Sequence, residues 1–315
     1  MRIHPQVLQI GTDWGEGGHT KLYLVEGERK ALIDTGVSTS PRADIGPYLA
    51  YFGYSLADID LILNTHGHDD HAGGNVEVQR ASDAGVCLHQ ADVYLVEDPG
   101  RYFDTYRAPV LRLMGREEDL EQARAQFVAK VGGPQKVARG LEDGEVIDLG
   151  GGVALRVVGL PGHTLGSVGY YWEREGLLLC GDSAVGQGSQ PGIIPVLNHP
   201  LAYQDTLRRL RQLPLRLLGL GHYYQGLTVS SKPVKQGAEI EFYLSDCEEV
   251  NNLLMEAMGW AMHRRWGQPF PRIMAEAVDQ LTGRLWLRRE PTTGLPRGAA
   301  YTLGNYYREL QRLGV

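Results

Sequence analysis

Five side chains that bind cations readily stand within six positions: His66, His68, Asp69, Asp70 and His71, in the stretch LILNTHGHDDHAGG from Leu61 to Gly74. In an extended backbone, residues two apart point to the same side, so His66 and His68 can meet one ion across Gly67. If the chain turns immediately afterwards, Asp70 and His71 face a second point. Imidazole nitrogen with carboxylate oxygen suits zinc, and also manganese or iron. Two such ions about 3.5–4 Å apart can share a water and bring its pKa toward about 7. Asp70 is then placed to orient that nucleophile and exchange a proton with it, whereas Asp69 is expected to face solvent.

One loop does not close two sites. Three further groups stand in matching settings: His163 after VVGLPG, Asp182 after LLLCG and His222 after LLGLG. Each follows an apolar run and a glycine. A lone histidine at a strand end is usually an ordinary polar residue. Three such ends beside a dense His/Asp loop are harder to explain by packing, because each group would cost free energy if buried unpaired. His89 and His199 are read as non-ligands, and His4, His19 and His263 as surface or local structure.

The elements that must carry these groups alternate. KLYLVEG and ALIDTG read as a hairpin, IDLILNTH and VCLH as short buried strands, and VALRVVGLPGH, VGYYWE and LLLCGDS as three more. LRLLGLGH reads as the last strand. Ile45, Tyr48, Leu49 and Phe52 have helical spacing, as do Tyr203, Leu207 and Leu210. Residues 99–140 interrupt the strands with helical composition and carry Tyr102, Phe103 and Tyr106, either as a lid over the metal edge or as a plain insertion. SSKPVKQG reads as a polar joint. Beyond it Tyr243, Cys247, Val250, Leu254, Met258 and Ala261 mark a long helix, followed by two shorter helices around GRLWLRRE.

The composition is that of a soluble globular protein, with 43% hydrophobic and 22% charged residues in 315. The three cysteines, Cys87, Cys180 and Cys247, are scattered and read as buried small hydrophobes. Neither a signal peptide nor a run of about eighteen apolar residues is visible, so the expectation is a cytoplasmic protein with no membrane partner. The net charge of −7 is unevenly spread: from Trp260 onward there are nine arginines and four acids.

THGHDDH has the form H-x-H-x-D-H and resembles the metallo-β-lactamase superfamily of hydrolases. The likeness extends over about residues 5 to 228 and takes in LIDTG upstream with His163, Asp182 and His222 downstream, a specific multi-part match. It implies an α/β fold, an αββα sandwich, with a C-terminal mainly helical extension, in the manner of the small winged-helix end of some family nucleases. The implied division is a catalytic domain over 1–229, containing the 99–140 insertion, and an extension over 230–315. The resemblance implies two divalent metal ions per chain, zinc first, with manganese or iron as alternatives. His66, His68 and His163 would hold one, Asp70, His71 and His222 the other, with Asp182 bridging and Asp34 supporting the loop from behind. No ligand position carries Cys, which points away from the true lactamases toward the glyoxalase II, lactonase and nuclease branches. Persulfide dioxygenases share the string with a single iron.

The expected activity is that of a dinuclear metal-dependent hydrolase directing a metal-bridged hydroxide at a small ester, thioester or lactone. Tyr223 or Tyr224, and Tyr106 from the insertion, are the candidate substrate contacts. The alternative is a metal-dependent ribonuclease or phosphodiesterase whose Arg-rich end touches nucleic acid. A solvated helical surface, or a homodimer contact, is the plainer reading of those arginines.

Overall fold

The computed structural model describes residues 1–15, 18–131 and 133–315. Seven strands form the first sheet in sequence order: β1 (Arg2–His4), β2 (Val7–Gly15), β3 (Gly18–Glu26), β4 (Lys30–Ile33), β5 (Leu61–Leu63), β6 (Gly85–His89) and β7 (Arg139–Leu141). The first four pair antiparallel and the last four parallel. The second sheet holds β8 (Val146–Gly150), β9 (Val153–Gly159), β10 (Val168–Trp172), β11 (Leu177–Leu179), β12 (Leu217–Gly219) and β13 (Val234–Gln236). In it only β11 and β12 run parallel.

Both faces of each sheet are buried, and the strands alternate accordingly. Tyr23 and Val25 of β3 pack between the sheets, whereas Leu22 and Leu24 pack outward against Ile45, Leu49 and Val78. In β11, Leu177 and Leu179 face the first sheet and Leu178 faces the opposite helical layer. The period of two in the sequence thus becomes helix, sheet, sheet, helix: the four-layer α/β sandwich expected from the resemblance.

The helices are α1 (Gly46–Tyr51), α2 (Asp69–Ala72), α3 (Asn75–Ser82), α4 (Val93–Glu97), α5 (Pro99–Tyr102), α6 (Ala108–Leu113), α7 (Leu120–Val131), α8 (Pro200–Gln212), α9 (Ala238–Arg264), α10 (Phe270–Leu281) and α11 (Ala299–Arg312). The last four share one apolar core with the outer face of the second sheet, so the C-terminal extension is packed onto the sandwich rather than hung from it. All three cysteines are buried and free.

Three readings need correction. The insertion over 99–140 is helical only to Val131, and its end is β7, which extends the parallel edge by pairing with β6. The polar joint contains β13, which pairs antiparallel with β12, so LRLLGLGH is not the last strand. GRLWLRRE makes isolated bridges only, at Leu285, Leu287 and Arg289, so the described residues of the extension show three helices and no wing.

Candidate metal centre

The polar groups singled out above sit at strand exits on one edge of the sandwich. Asp34 follows β4, Asn64 and His66 follow β5, His163 follows β9, Asp182 follows β11 and His222 follows β12. This is the edge at which ligands bind in sheets of parallel character. Local bonds fasten the exits together. Val168 N–H donates to the Thr65 carbonyl at 2.9 Å and Gly221 N–H to that of Gly181 at 2.8 Å. Tyr170 Oη donates to the Asn64 carbonyl at 2.7 Å. A Cβ on Gly221 would lie 2.4 Å from Asp182 Oδ1 and 2.8 Å from the His71 ring, so only glycine lets this turn approach.

The loop between β5 and α2 aims its ligands in two directions. His68 is extended, at φ −75° and ψ 153°, and α2 starts at Asp69, so the chain turns immediately after the second histidine. His66 and His68 thereby join His163, while Asp70 and His71 join His222. Within each of these triads the ligand atoms lie within 4.8 Å of one another, as they do for His66, His71 and Asp182. Asp182 stands between the triads. Its Oδ2 is 3.4 Å from His163 Nε2 and 3.4 Å from His222 Nε2, and its Oδ1 is 3.4 Å from His71 Nε2.

Hydrogen bonds behind the rings set which nitrogen faces inward. His71 Nδ1–H donates to Asp34 Oδ2 at 2.8 Å, His163 Nδ1–H to the Val196 carbonyl at 2.7 Å, and His222 Nδ1–H to the His19 carbonyl at 2.5 Å. Their Nε2 atoms therefore turn into the cavity. Asp34 also accepts from Thr65 N at 2.7 Å and Thr65 Oγ1 at 2.8 Å. Its own backbone is left-handed, φ 61°, an uncommon conformation for a residue with a Cβ, found here where three bonds fix the carboxylate.

The residues present fit a cation. His66 Nε2 and Asp182 Oδ1 are buried without a hydrogen-bond partner, which is costly for polar atoms that have nothing else to bind, and His68 turns its Nδ1 to within 2.8 Å of His163 Nε2. The electrostatics agree. Burial opposes charge on His71 and His222, yet Asp182, Asp70 and, for His71, Asp34 outweigh it. His71 is raised well above the ordinary range and His222 to about 9. The same contacts hold Asp182 and Asp70 below the ordinary carboxylate range against their burial. Burial pushes His66, His68 and His163 down, so these rings stay neutral and able to donate a lone pair. Buried carboxylates around the paired imidazoles call for positive charge at the centre.

The surroundings differ from expectation in several places. Tyr106 lies in the insertion but touches His199, Oη to Nε2 at 3.4 Å, and not the cluster. The ring over the site is Tyr102, stacked on His68 at 5.4 Å and 9°. Tyr223 is turned outward, against His19 at 4.5 Å and under the Lys21 ammonium at 4.1 Å. Tyr224 is the buried one, edge-on to His222 at 5.3 Å, and burial together with Asp182 pushes its phenol well above the usual range. Asp69 does not simply face solvent: it pairs with Lys130 at 3.2 Å. His19, read as surface or local structure, supplies the carbonyl that orients His222. His89 lies outside the cluster and accepts from Ala91 N.

Two groups at this edge escape the motif. Asp92, just after β6, is a buried carboxylate between the His66–His68 loop and the His163 loop, and burial pushes it up to about 6 against three hydrogen bonds. An acid at a strand exit, as at Asp34 and Asp182, was the available signal. Arg107 lies over the rings of Tyr301 at 4.9 Å and Phe127 at 5.7 Å, and among the described residues no carboxylate pairs with it. Its charge reaches His68, whose pKa it helps to depress after burial and His163. The sequence carried no mark of it.

The sequence profile of the metallo-β-lactamase superfamily matches residues 15–222, and the chain belongs to that superfamily of metal-dependent hydrolases. It is 28% identical over 229 residues, 65% of this chain and 67% of the relative, to a probable metallo-hydrolase, YqjP, of Bacillus subtilis. It is 30% identical over 195 residues to a hydroxyacylglutathione hydrolase of Rhodospirillum rubrum, 59% of each chain. Among solved structures, a metallo-beta-lactamase family protein from Thermus thermophilus superposes with a TM-score of 0.72 at 23% identity, covering 99% of this chain and 95% of that one. A subclass B3 metallo-beta-lactamase of Bradyrhizobium japonicum does so at 0.54 and 19%, covering 78% and 94%. The structural likenesses are to the fold.

Proposed function

We propose that the chain is a dinuclear metal hydrolase of small acyl substrates, a thioester before an ester or lactone, and that zinc is its metal. The observation that carries this reading is the pair of triads, His66/His68/His163 and Asp70/His71/His222, with Asp182 between them. Bound there, a pair of divalent cations supplies Lewis acidity for the carbonyl oxygen and a water acidic enough to attack at neutral pH.

The chain's own groups do the rest. Asp70 is the more accessible of the two carboxylates in the cluster, with 24% of its side chain exposed against 5% for Asp182, and it is ionised at neutral pH. It accepts a proton from the attacking water and orients it. Tyr102 covers His68 and keeps bulk water from that side. Arg107, beyond it, offers a guanidinium edge to an anionic group carried by the substrate.

A small substrate is favoured over nucleic acid because four of the nine C-terminal arginines are already paired with carboxylates of the same region. Arg264 and Arg265 pair with Glu276, Arg284 with Glu256 and Arg289 with Asp279. The test is metal analysis with a panel of acyl thioesters, lactones, aryl esters and single-stranded RNA. Two ions per chain with turnover of a thioester is the expected result. RNA cleavage that falls steeply with salt, or one iron with oxygen uptake on a persulfide, would replace this reading.

A further inference from the structure

Two elements far apart in sequence must hold a constant separation if His66, His68 and His163 are to share an ion. One is the loop after β5 and the other the loop after β9. Apart from the two loops' own contact, His163 Nε2 to His68 Nδ1 at 2.8 Å, the side chain that bonds both among the described residues is Asp92. Its Oδ2 accepts from Gly67 N at 3.1 Å and from Thr164 Oγ1 at 2.6 Å, and its Oδ1 accepts from Gly166 N at 2.8 Å. Gly67 lies between the two loop histidines, and Thr164 follows His163 directly. The carboxylate is completely buried and meets no cation, only neutral N–H and O–H donors.

The chemistry of the contact demands an acid. Three donors converge on two oxygens, so both must be acceptors; an amide would turn its NH2 toward one of them. Ser167 completes the set. Its Oγ is 2.9 Å from Thr164 Oγ1 and accepts from Thr164 N at 3.0 Å, which leaves the threonine hydroxyl hydrogen for Asp92. Gly166 has no room for a side chain, since a Cβ there would lie 2.5 Å from Asp92 Cγ. The loop after β9 is thus cut to fit this carboxylate, and Gly67 of the other loop lies close enough for its N–H to reach it. Asp34 performs the matching task for His71, and none of the Asp92 bonds goes to Asp70, His71 or His222.

We propose that Asp92 is a positioning residue for the first triad: it fixes the distance between the His66/His68 pair and His163, and through it the affinity of that triad alone for its ion. This rests on the reading of the two triads as metal sites. The test is titration of metal-free wild type, Asp92→Asn and Thr164→Val with cobalt(II), read by the affinity of each step and by the visible absorption of the bound ion. Melting temperatures of the metal-free forms are measured alongside.

Wild type takes up two ions. In Asp92→Asn one step weakens about 10- to 100-fold with an altered cobalt spectrum, and the other stays within about twofold. Thr164→Val, which removes one donor and keeps the shape, weakens the same step about tenfold. A role in stability alone would lower the melting temperature and leave spectrum and affinities of the folded protein as in wild type, and that result overturns the proposal. If Asp92→Asn does not fold, Thr164→Val decides by the same criterion. A wild type that takes up no cobalt would instead sink the reading of the triads, and the role of Asp92 with it.

Discussion

His71 and His222, 151 residues apart in the chain, face each other nitrogen to nitrogen at 3.2 Å. Each spends its other ring nitrogen on a donor bond, to Asp34 and to the His19 carbonyl. Two lone pairs cannot share that gap. Without metal at least one of the two rings must be protonated, which the neighbouring carboxylates favour; with metal that protonation must be given up.

The first prediction concerns pH. His222 has a folded pKa raised to about 9, above its unfolded value of about 6.5. Its contribution is therefore fully present below the unfolded value and is lost as pH rises through the folded one. Metal-free protein should lose roughly 2–4 kcal/mol between about pH 6.5 and 9. Chemical denaturation at several pH values, with chelator and with zinc, checks this. The loss should vanish in the zinc-loaded form, and zinc uptake near neutral pH should release protons.

Asp182→Asn removes the one carboxylate that meets both triads. Metal content should fall below two ions per chain, and kcat should drop by about 100-fold or more, since two-ion chemistry needs both ions in place. Retention of both ions and of activity would contradict the shared role.

Asp34→Asn keeps size but presents an amide to the His71 ring. Affinity for the ion at the Asp70/His71/His222 triad should fall about 10- to 100-fold. Glycine at 34 would relieve the left-handed backbone yet lose all three side-chain bonds, so Asp34→Gly should be no better than Asn in metal affinity.

Arg107→Met should raise KM about 10- to 100-fold for a thioester bearing a carboxylate, the worth of a charge-assisted hydrogen bond, and leave a neutral thioester unchanged. Equal effects on both would mean that the guanidinium serves only to hold the insertion against Phe127 and Tyr301.

Asn305→Leu and Thr302→Val test a longer connection. Thr302 Oγ1 donates to the Pro195 carbonyl at 2.6 Å, and Asn305 Nδ2 donates to that of Leu197 at 3.1 Å. The segment so gripped carries Val196, which orients the His163 ring, and Asn198, which donates to the His163 carbonyl. Each substitution should destabilise by about 1–3 kcal/mol, and both should weaken binding at the His163 triad, as calorimetry and metal titration would show.

Much of this centre was legible because apolar strands followed by glycine and a polar residue repeat along the chain. Parallel strands bring such exits to one edge whatever the distance in sequence. What stayed hidden depended on direction rather than type. Tyr102 and Tyr106 are four apart and looked equivalent. The π-helical turn Phe103–Arg107 changes the phase, so one ring meets His68 and the other His199. β13 was missed because an edge strand of three residues in a Ser/Lys-rich stretch has no apolar period to read. Asp92 was missed because, although it stands near a strand exit, it comes three residues past the end of β6 without the glycine that precedes His163, Asp182 and His222, and its worth shows when two distant loops close on it.

The grip of α11 on residues 195–198 has a consequence for biogenesis. The His163 side of the site rests on a helix that leaves the ribosome after every strand of both sheets has been made. A nascent chain can lay down the whole sandwich, Asp92 and its bonds included, before the segment whose Val196 carbonyl aims the His163 ring is fastened. The full strength of metal capture on that side should therefore arrive with α11, later than the sandwich itself.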